Sequence, residues 1–276
     1  MTARIQPLIR YHGGKYRFAD WIISNFPKHK TYVEPFGGGA SVLISKLPSQ
    51  IEVYNDIDEE VVNLFRVLRN PEQRQQLEQL VYLTPFARQE FVEAYEYSDC
   101  PLEKARRLIV RAQMGFGSAG ATRGNTGFRR MGGRQKNYEI QIWDKYPNRL
   151  AAIAERLKNV LIENHEASKV IDYYDDKDTL FFIDPPYVRS TRTANMNAYQ
   201  YEMDDEAHKS LLDRLKAVEG FVVLSGYECD LYNINLSGWK KLTKQVQASG
   251  KVGGVTRQEC LWLNPKASIQ TDLFGG

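Results

Sequence analysis

The sequence predicts an α/β fold in which a doubly wound parallel sheet carries a mainly helical insertion. Short apolar segments alternate with helical patterns over most of the 276 residues, and this alternation stops between residues 70 and 158. Consecutive apolar residues are typical of parallel strands, which are buried on both faces. A chain of this length is long enough for one α/β domain with an insertion. The predicted strands are Thr31–Val33, Ile51–Tyr54, Val160–Ile162, Leu180–Ile183 and Phe221–Leu224.

Helical patterns flank the predicted strands. Ala40–Lys46 follows the first strand, Asp58–Arg69 follows the second, and Asp204–Val218 precedes the fifth. Strands that alternate with helices indicate a doubly wound sheet, and ligands bind such sheets outside the carboxyl ends of the strands. We therefore expect the functional residues in the loops that follow these strands.

The insertion is predicted to begin as helices and to continue as an irregular segment. Pro71, Pro85 and Pro101 mark helix starts, because proline is favoured in the first turn of a helix. The three helices are predicted over Glu72–Val81, Pro85–Tyr97 and Leu102–Gln113. A stretch rich in glycine and arginine then runs from Met114 to about Trp143, and irregular segments of this length are usually functional. The predicted domains are a core of residues 1–69 and 159–268, an inserted domain of residues 70–158, and a tail of residues 269–276.

The positive charge of the chain is concentrated in the insertion. The whole chain carries a formal net charge of +3, whereas residues 101–160 contain thirteen Lys and Arg against four Asp and Glu. A basic module within a mildly acidic body is typical of a protein that binds the phosphate backbone of a nucleic acid. A solvated basic surface explains the same composition equally well, so composition alone leaves both interpretations open.

Composition and spacing disfavour several other classes of protein. The three cysteines and four histidines form no C-x-x-C pair and no metal-ligand spacing, so we predict neither a disulfide framework nor a metal site. The amino-terminal residues lack the apolar segment of a secretory signal, and no stretch approaches about eighteen apolar residues. We therefore expect a cytoplasmic protein without a membrane span.

The most specific motif is Asp184-Pro185-Pro186-Tyr187, directly after the apolar strand Leu180–Ile183. The exocyclic N6 of adenine is a poor nucleophile because its lone pair is delocalised into the ring. A carboxylate at Asp184 that accepts one N–H, with a main-chain carbonyl that accepts the other, would localise this lone pair. The prolines fix the backbone and remove competing N–H donors, and Tyr187 offers a face for an extruded base. A tight turn after a strand is the structural alternative.

A second motif, Glu34–Gly39 with the sequence EPFGGG, joins the first strand to the helical pattern after it. Glycines at such a turn let the backbone approach a ligand closely and open a helix N-terminus toward it. The spacing is neither the G-x-G-x-x-G of dinucleotide folds nor a phosphate-binding G-K-[ST] loop. It therefore favours a small nucleoside ligand over a pyrophosphate, with a plain strand-to-helix turn as the alternative.

Further candidates for the same ligand lie near these motifs. Asp56 ends the second strand, where acids grip ribose hydroxyls in Rossmann-like sheets, while Asp58 is placed to cap the next helix. In the YHGGK motif, the glycine pair would bring Lys15 close to a ligand carboxylate, and Tyr11 suits stacking on an adenine. Glu166, just after the third strand, is a candidate for contact with a cofactor's adenine.

Together, RYHGGK, YVEPFGGGAS, YNDID, the basic insertion and FFIDPPY resemble the Dam-type DNA adenine N6-methyltransferases, in the group whose cofactor motifs precede the recognition domain. The similarity runs from Leu8 to about Asn264. It includes GFVVLSGY (220–227) and RQECLWLN (257–264), which look like later core strands of the family. The resemblance implies a class I, Rossmann-like methyltransferase sheet and the cofactor S-adenosyl-L-methionine. It also implies methyl transfer to N6 of a flipped adenine in duplex DNA.

The resemblance implies two sets of site residues. Those that would surround S-adenosylmethionine are Tyr11, Lys15, Glu34, Pro35, Phe36, Gly37, Gly39, Asp56, Glu166 and Asp184. Those that would surround the flipped adenine are Asp184, Pro185, Pro186 and Tyr187. Catalysis would come from positioning and from the hydrogen bonds of Asp184, with no covalent intermediate and no metal.

The irregular stretch supplies candidates for DNA contact. Its segment 123–129 loosely resembles the R-x-N-x-x-G-x-F-N hairpin of the family. Arginines there would read guanine O6 and N7 or hold phosphates. The candidates are Arg123, Asn125, Arg129, Arg130 and Arg134. A second segment, Arg189–Tyr201, is a candidate to close over the flipped base, although Tyr199 and Tyr201 are equally suited to packing.

The tail contains QTDLF over residues 270–274, which resembles the short Q-L-[SD]-L-F peptide that docks bacterial replication proteins into the sliding clamp. Leu273 and Phe274 suit insertion into an apolar pocket, and Gln270 matches the first position of the peptide. Thr271 replaces the usual Leu. The sliding clamp is therefore a candidate partner in addition to duplex DNA.

Alternative functions stay open on the sequence alone. N4 of cytosine is also an exocyclic amine that DPPY-like motifs serve, and an RNA methyltransferase would share the fold. A DNA-binding protein without turnover is the third alternative. The basic insertion favours duplex DNA, because groove reading needs an extra domain, and the intact DPPY motif with Lys15 favours catalysis. Such an enzyme acts alone or within a restriction-modification system.

Overall fold

The computed structural model describes residues 5–118, 120–122, 126–129, 138–192, 199–248 and 255–274. The helices are α1 (Ala19–Ile23), α2 (Glu59–Arg69), α3 (Pro71–Leu83), α4 (Arg88–Glu93), α5 (Pro101–Met114), α6 (Tyr138–Asp144), α7 (Pro147–Leu157), α8 (Ala167–Tyr174), α9 (Asp205–Ala217), α10 (Asp230–Asn235) and α11 (Pro265–Phe274). The strands are β1 (Thr31–Glu34), β2 (Ile51–Asn55), β3 (Val160–Glu163), β4 (Thr179–Ile183), β5 (Phe221–Tyr227), β6 (Lys240–Ala248) and β7 (Val255–Leu263).

Seven strands form one sheet in the order β3-β2-β1-β4-β5-β7-β6. Strands β1 to β5 pair in parallel, whereas β7 is antiparallel to both β5 and β6. The structure confirms the five predicted parallel strands and the later core strand over residues 257–264. The sequence analysis missed β6, because its residues KKLTKQVQA are mostly polar. Lysines are typical of edge strands, where they discourage pairing with another chain.

The central strands β1, β4 and β5 are buried on both faces, which explains their continuous apolar runs. Phe181 and Phe182 are neighbours on β4, yet they pack into separate hydrophobic clusters because successive side chains point to opposite faces. Val222 and Val223 on β5 divide in the same way. Apolar side chains of β4 and β5 therefore fill the core on both faces of the sheet.

Side-chain caps set the starts of two predicted helices. The Asp58 carboxylate accepts a hydrogen bond from the Glu60 N–H at 2.9 Å and begins α2. The Asp204 carboxylate accepts from the Ala207 N–H at 2.8 Å and begins α9. Such caps satisfy N–H groups that have no partner within the helix. The helices predicted over residues 58–69 and 204–218 are confirmed.

The predicted helix over Ala40–Lys46 is replaced by a series of turns. Single helical bonds occur, such as Ile44 N–H to the Ala40 carbonyl at 3.0 Å. The backbone of Leu43 is engaged elsewhere: its N–H donates to Glu34 at 3.1 Å, and its carbonyl accepts from Arg156 at 2.6 Å. These contacts divert hydrogen-bonding groups that a regular helix needs.

In the insertion, α3, α5 and α7 each pack against α2, and α3 also packs against α5 and α7. Helix α4 is shorter than the predicted helix over Pro85–Tyr97, because Phe86 packs against Phe128 and Trp143 while the backbone at Ala87 is extended. Helix α6 lies within the segment that was predicted to be irregular.

A short antiparallel contact follows α5. The Phe116 N–H donates to the Gly127 carbonyl at 2.8 Å, and the Arg129 N–H donates to the Met114 carbonyl at 2.7 Å. This contact joins the start of the glycine- and arginine-rich segment to residues 127–129 near its middle. Residues 114–118 and 126–129 therefore form the base of a hairpin, which we call the recognition hairpin.

The predicted tail from residue 269 is instead largely helical, because α11 extends to Phe274. Its start carries a signal that the sequence analysis missed: Asn264 accepts a hydrogen bond from the Ala267 N–H at 3.0 Å, and Pro265 is the first helical residue. Within the described residues, no helix is long and apolar enough to span a membrane.

Candidate active site

A cavity of about 570 Å³ opens where β1, β2 and β4 end. Its wall includes every residue that the sequence analysis placed around the cofactor, from the amino-terminal YHGGK segment to Asp184. The parallel register of the central strands brings these distant segments together, since the carboxyl ends of parallel strands meet at one edge of a sheet. The cavity volume lies within the range of about 300–1,000 Å³ that is usual for small-molecule sites.

The glycine-rich loop is held against the end of β2 by hydrogen bonds. The Gly37 N–H donates to the Asn55 carbonyl at 2.8 Å, and the Gly38 N–H donates to the Asp56 carboxylate at 2.6 Å. The Tyr54 hydroxyl donates to the Gly38 carbonyl at 2.8 Å. Asp56 therefore holds the loop, in addition to facing the cavity where the sequence placed it.

Close packing also requires the glycines. A Cβ at position 37 would lie 2.1 Å from the Tyr54 ring, and one at position 38 would lie 2.7 Å from the Tyr11 ring. Gly38 also has a φ of +47°, which disfavours other residues. These close neighbours belong to the protein itself, so the glycines serve the packing of the loop as well as any approach to a ligand.

Asp184 and Lys15 form a buried ion pair at the floor of the cavity. The Lys15 Nζ lies 2.9 Å from Asp184 Oδ1 and also donates to the Gly13 carbonyl at 2.8 Å. Burial lowers the pKa of Lys15, but Asp184 and Glu259 raise it, and the net shift is upward. Lys15 is therefore a permanent cation beside the first residue of the DPPY motif.

Burial raises the pKa of Asp184 to about 6, although Lys15 opposes the shift. Glu34 is more strongly affected: burial raises its pKa to about 8, while a hydrogen bond from the Tyr32 hydroxyl at 3.0 Å opposes the shift. At pH 7 Asp184 is mainly ionised and Glu34 is mainly protonated. Asp184 is therefore available as an ionised acceptor beside Lys15.

A family model of the D12 class N6 adenine-specific DNA methyltransferases matches residues 11–248 of this chain. The chain belongs to this family. It is 28% identical to the type II methyltransferase M1.LlaDCHI of Lactococcus lactis subsp. cremoris over 240 residues, which cover 80% of this chain and 81% of that protein. It is 25% identical to the DNA adenine methylase of Salmonella typhi over 266 residues, 91% of each chain. Identity to the DNA adenine methylase of Escherichia coli (strain K12) is 24% over 208 residues, 72% of each chain.

Membership in the D12 class decides between the alternatives that the sequence left open. It supports adenine over cytosine and DNA over RNA, and it identifies the chain as an adenine-specific DNA methyltransferase. The family also implies a methyl donor of the S-adenosylmethionine type. The seven-stranded sheet agrees with the predicted methyltransferase fold.

The DPPY motif of this D12 enzyme is divided between the cavity and the core. Asp184 and Pro186 line the cavity, whereas Pro185 is buried and the Tyr187 side chain is only 7% exposed. The Tyr187 ring lies edge-on to Tyr227 with centroids 4.5 Å apart, and the Lys15 ammonium lies 4.6 Å from the Tyr187 centroid. The stacking of a flipped base on Tyr187 stays a prediction.

Two polar residues that the sequence analysis did not single out complete the site. Glu259 on β7 and Ser225 on β5 are both buried. Glu259 Oε1 accepts hydrogen bonds from the Tyr187 hydroxyl and from the Ser225 hydroxyl, the latter at 2.9 Å. The signal was an acid inside the apolar strand RQECLWLN, because a buried acid needs partners within the fold.

Residues 199–203, after the DPPY motif, line one side of the cavity. Tyr199 and Tyr201 both line it. Arg192 donates to the Glu202 carboxylate at 2.8 Å and lies 5.1 Å from the Tyr199 ring centroid. The Tyr199 ring is also edge-on to His12, with centroids 5.1 Å apart. Packing therefore accounts for the position of Tyr199 in this conformation.

Among the DNA-contact candidates, only Arg129 lies within the described residues; Arg123, Asn125, Arg130 and Arg134 lie outside them. The Arg129 guanidinium donates to the Gly117 carbonyl at 2.7 Å and to Glu139 at 3.0 Å. Arg129 thus holds the recognition hairpin together. For the clamp peptide, Gln270 is partly buried on α11, and the side chains of Leu273 and Phe274 lie outside the described residues.

Proposed function

We propose that this D12 enzyme transfers the methyl group of S-adenosyl-L-methionine to N6 of an adenine that is flipped out of duplex DNA. The observation that carries the proposal is the Asp184–Lys15 ion pair at the floor of a cavity whose wall contains all the residues expected around the cofactor. A carboxylate in this place suits an exocyclic amine, and the cavity suits a nucleoside cofactor beside a base.

The residues of the cavity fit S-adenosylmethionine. Asp56 would accept hydrogen bonds from ribose hydroxyls, since a carboxylate has lone pairs beyond those that Gly38 and Asp58 occupy. Tyr11 and Glu166 would contact the adenine of the cofactor, and Lys15 its carboxylate. When bound, the cofactor supplies an electrophilic methyl group on a positively charged sulfonium.

On the substrate side, Asp184 is the acceptor for the target amine. An ionised carboxylate accepts an N–H of adenine N6, and a main-chain carbonyl of the DPPY segment accepts the other. These two bonds localise the nitrogen lone pair and aim it. Because the pKa of Asp184 is about 6, the carboxylate is ready to accept at neutral pH. Catalysis then rests on fixed orientation and pre-arranged hydrogen bonds.

The insertion over residues 70–158 is proposed to contact the DNA. Its surplus of basic residues supports the proposal, as does the recognition hairpin, whose base is anchored by Arg129. Arg123, Asn125, Arg130 and Arg134 are proposed to contact bases or phosphates.

The test is incubation of the protein with methyl-labelled S-adenosylmethionine and unmethylated genomic DNA, with a parallel reaction on total cellular RNA. Digestion to nucleosides and mass spectrometry then identify the product, and sequencing locates the modified positions. N6-methyladenine in one short sequence context is the expected result. N4-methylcytosine, label on RNA alone, or no label on any nucleic acid would each contradict the proposal. Single-stranded DNA of the same sequence is the matched control for the duplex requirement.

Docking to a sliding clamp through QTDLF stays a prediction. Because the peptide lies on α11, docking in an extended form requires the last turns of this helix to unwind. Calorimetric titration of purified clamp with the full chain and with Leu273→Ala/Phe274→Ala tests the idea. Substitution is preferable to truncation at residue 269, which would cut through α11. Equal titration curves for the two proteins would remove the hypothesis.

A further inference from the structure

The buried acid on β7 has a role that the DPPY motif alone does not provide. We infer that Glu259 is a positioning residue for methyl transfer: it fixes the Tyr187 hydroxyl and the Lys15 ammonium, and through them the orientation of the Asp184 carboxylate. The inference rests on the proposed function, because it assigns Asp184 the role of acceptor for the target amine.

The sheet register places Glu259 where it can act on the motif. Strand β7 runs antiparallel to β5, with Glu259 opposite Tyr227 and Leu261 opposite Ser225. Residues two apart on a strand share a face, so Glu259, Tyr227 and Ser225 lie on the same side of the sheet. The carboxyl end of β5 lies beside the carboxyl end of β4, where the DPPY motif begins.

One carboxylate oxygen of Glu259 contacts three polar groups from different parts of the fold. Oε1 accepts the hydroxyl protons of Tyr187 and Ser225, and it lies 3.6 Å from the Lys15 Nζ. The Lys15 Nζ in turn lies 2.9 Å from Asp184. Lys15, Tyr187, Ser225 and Glu259 are buried, and Asp184 is 16% exposed where it faces the cavity. Loss of a partner inside this cluster would therefore carry a large desolvation cost.

This arrangement makes Glu259 the second carboxylate on a single ammonium. The groups that interact with Asp184 are Lys15 from the amino-terminal segment, Glu34 at the end of β1, Tyr187 and Tyr199 from the segment after β4, Ser225 from β5, Tyr232 from α10 and Glu259 from β7. Burial raises the pKa of Asp184 most, Lys15 lowers it, and the negative charge of Glu259 raises it. Glu259 therefore tunes the acceptor as well as placing it.

Two quantities measured on one variant separate the effect of the Glu259 charge from its effect on the positions of Tyr187 and Lys15. Glu259→Gln keeps the shape and an acceptor oxygen but removes the charge, so the pKa of Asp184 should fall. The acid limb of the single-turnover methylation rate should then move to lower pH. The plateau rate should fall about tenfold, as the amide orients Tyr187 and Lys15 less firmly. Glu228→Gln, which removes an exposed charge paired with Lys241, is the matched control and should leave both quantities unchanged.

A double-mutant cycle tests the route through Tyr187. Tyr187→Phe removes the hydroxyl that Glu259 holds, so Tyr187→Phe/Glu259→Gln should be little slower than the slower single variant. Wild-type plateau rate and acid limb in Glu259→Gln, or fully additive losses in the cycle, would overturn the inference. If Glu259→Gln does not fold, as judged by thermal unfolding, Ser225→Ala takes its place, and a wild-type rate there would count against the inference. A wild-type enzyme without any N6-methyladenine product would instead refute the proposed function.

Discussion

Charged side chains form a buried ion cluster in the catalytic core and partly exposed ion pairs in the insertion. In the core, Lys15 and Glu259 are 4% and 5% exposed and share one ion cluster with Asp184. In the insertion, Glu139 and Arg129 are 17% and 21% exposed, and Glu139 joins Arg129 to Arg10 at the amino terminus. Buried clusters hold fixed positions at the cost of desolvation, whereas half-exposed pairs are weaker and are screened by salt.

The comparison also shows that counting charges overstates the positive charge available for DNA. Arg106 pairs with Glu90 and Glu103, Arg107 pairs with Glu103, and Arg111 pairs with Glu60. These arginines stabilise the helices of the insertion. DNA contact must therefore depend on fewer basic side chains than the composition suggests, and the two regions should respond differently to substitution, salt and pH.

Loss of the acceptor should have the largest effect. Asp184→Asn should slow single-turnover methylation by about 10³-fold or more, because the neutral amide is a poorer acceptor for the amine and the nearer of the two carboxylates on Lys15 is lost. Binding of S-adenosylmethionine, measured by calorimetry, should change much less. Asp213→Asn, at an exposed pair with Lys216, is the matched control. Near-normal turnover in Asp184→Asn would refute the assignment of the acceptor.

The second-largest effect should be the difference in salt dependence between DNA binding and cofactor binding. The logarithm of the DNA association constant should fall linearly with the logarithm of the salt concentration. The affinity should fall by about 10³-fold between 50 and 200 mM salt if about six phosphates are contacted. Cofactor affinity should change only a few-fold over the same range, because the core cluster is shielded from ions. Fluorescence anisotropy with labelled duplex and calorimetry with cofactor measure the two slopes. A flat profile for DNA would contradict the role given to the basic insertion.

Removal of the Lys15 ammonium should change both the free energy of unfolding and the pH dependence of the methylation rate. Lys15→Met leaves two buried carboxylates without a counter-charge, and breaking a buried pair costs about 3–5 kcal/mol of unfolding free energy. Lys15 lowers the pKa of Asp184, so its loss should raise that pKa and move the acid limb of the rate to higher pH. This direction is opposite to that expected for Glu259→Gln. Denaturant unfolding and a pH–rate profile measure both effects; Lys158→Met, on an exposed lysine, is the control.

The two regions also differ in how far the sequence predicted them. The core was predicted well because its signals are local: apolar runs end at DPPY, EPFGGG and Asp56, and the parallel sheet brings the three together. Glu259 was missed because its partners lie 34 and 72 residues away along the chain. The helix at Ala40–Lys46 was predicted wrongly for the same reason, since Glu34 and Arg156 take its backbone groups.

In the insertion, the sequence predicted the helices but not the duties of the arginines. Arg129 was a candidate for DNA contact, which stays a prediction, and the structure adds that its guanidinium donates to the Gly117 carbonyl and to Glu139. Nothing local distinguishes an arginine that binds phosphate from one that ties two chain segments together. The distinction depends on Glu139, which only the fold brings near.

Removal of the Glu139 bridge should have the smallest effect, and it should change sequence discrimination rather than the methylation rate. Glu139→Gln leaves Arg10 and Arg129 facing each other without the acid between them. Unfolding free energy should fall by about 1 kcal/mol, as for other partly exposed pairs. Non-specific DNA affinity should hold or rise, because a negative charge is lost. Discrimination between the methylated sequence and single-base variants should fall, because the recognition hairpin loses its tie to the amino-terminal segment.

Competition binding with both duplexes separates these quantities. Glu155→Gln removes the same charge from an exposed position on α7, where the nearest basic atom is 3.9 Å away. If general charge governs recognition, the two variants should match in affinity and in discrimination. If Glu139 holds the recognition hairpin in register with the catalytic core, only Glu139→Gln should lose discrimination. An equal response of the two variants would mean that the bridge is one more surface pair, and that the hairpin is held by its backbone bonds alone.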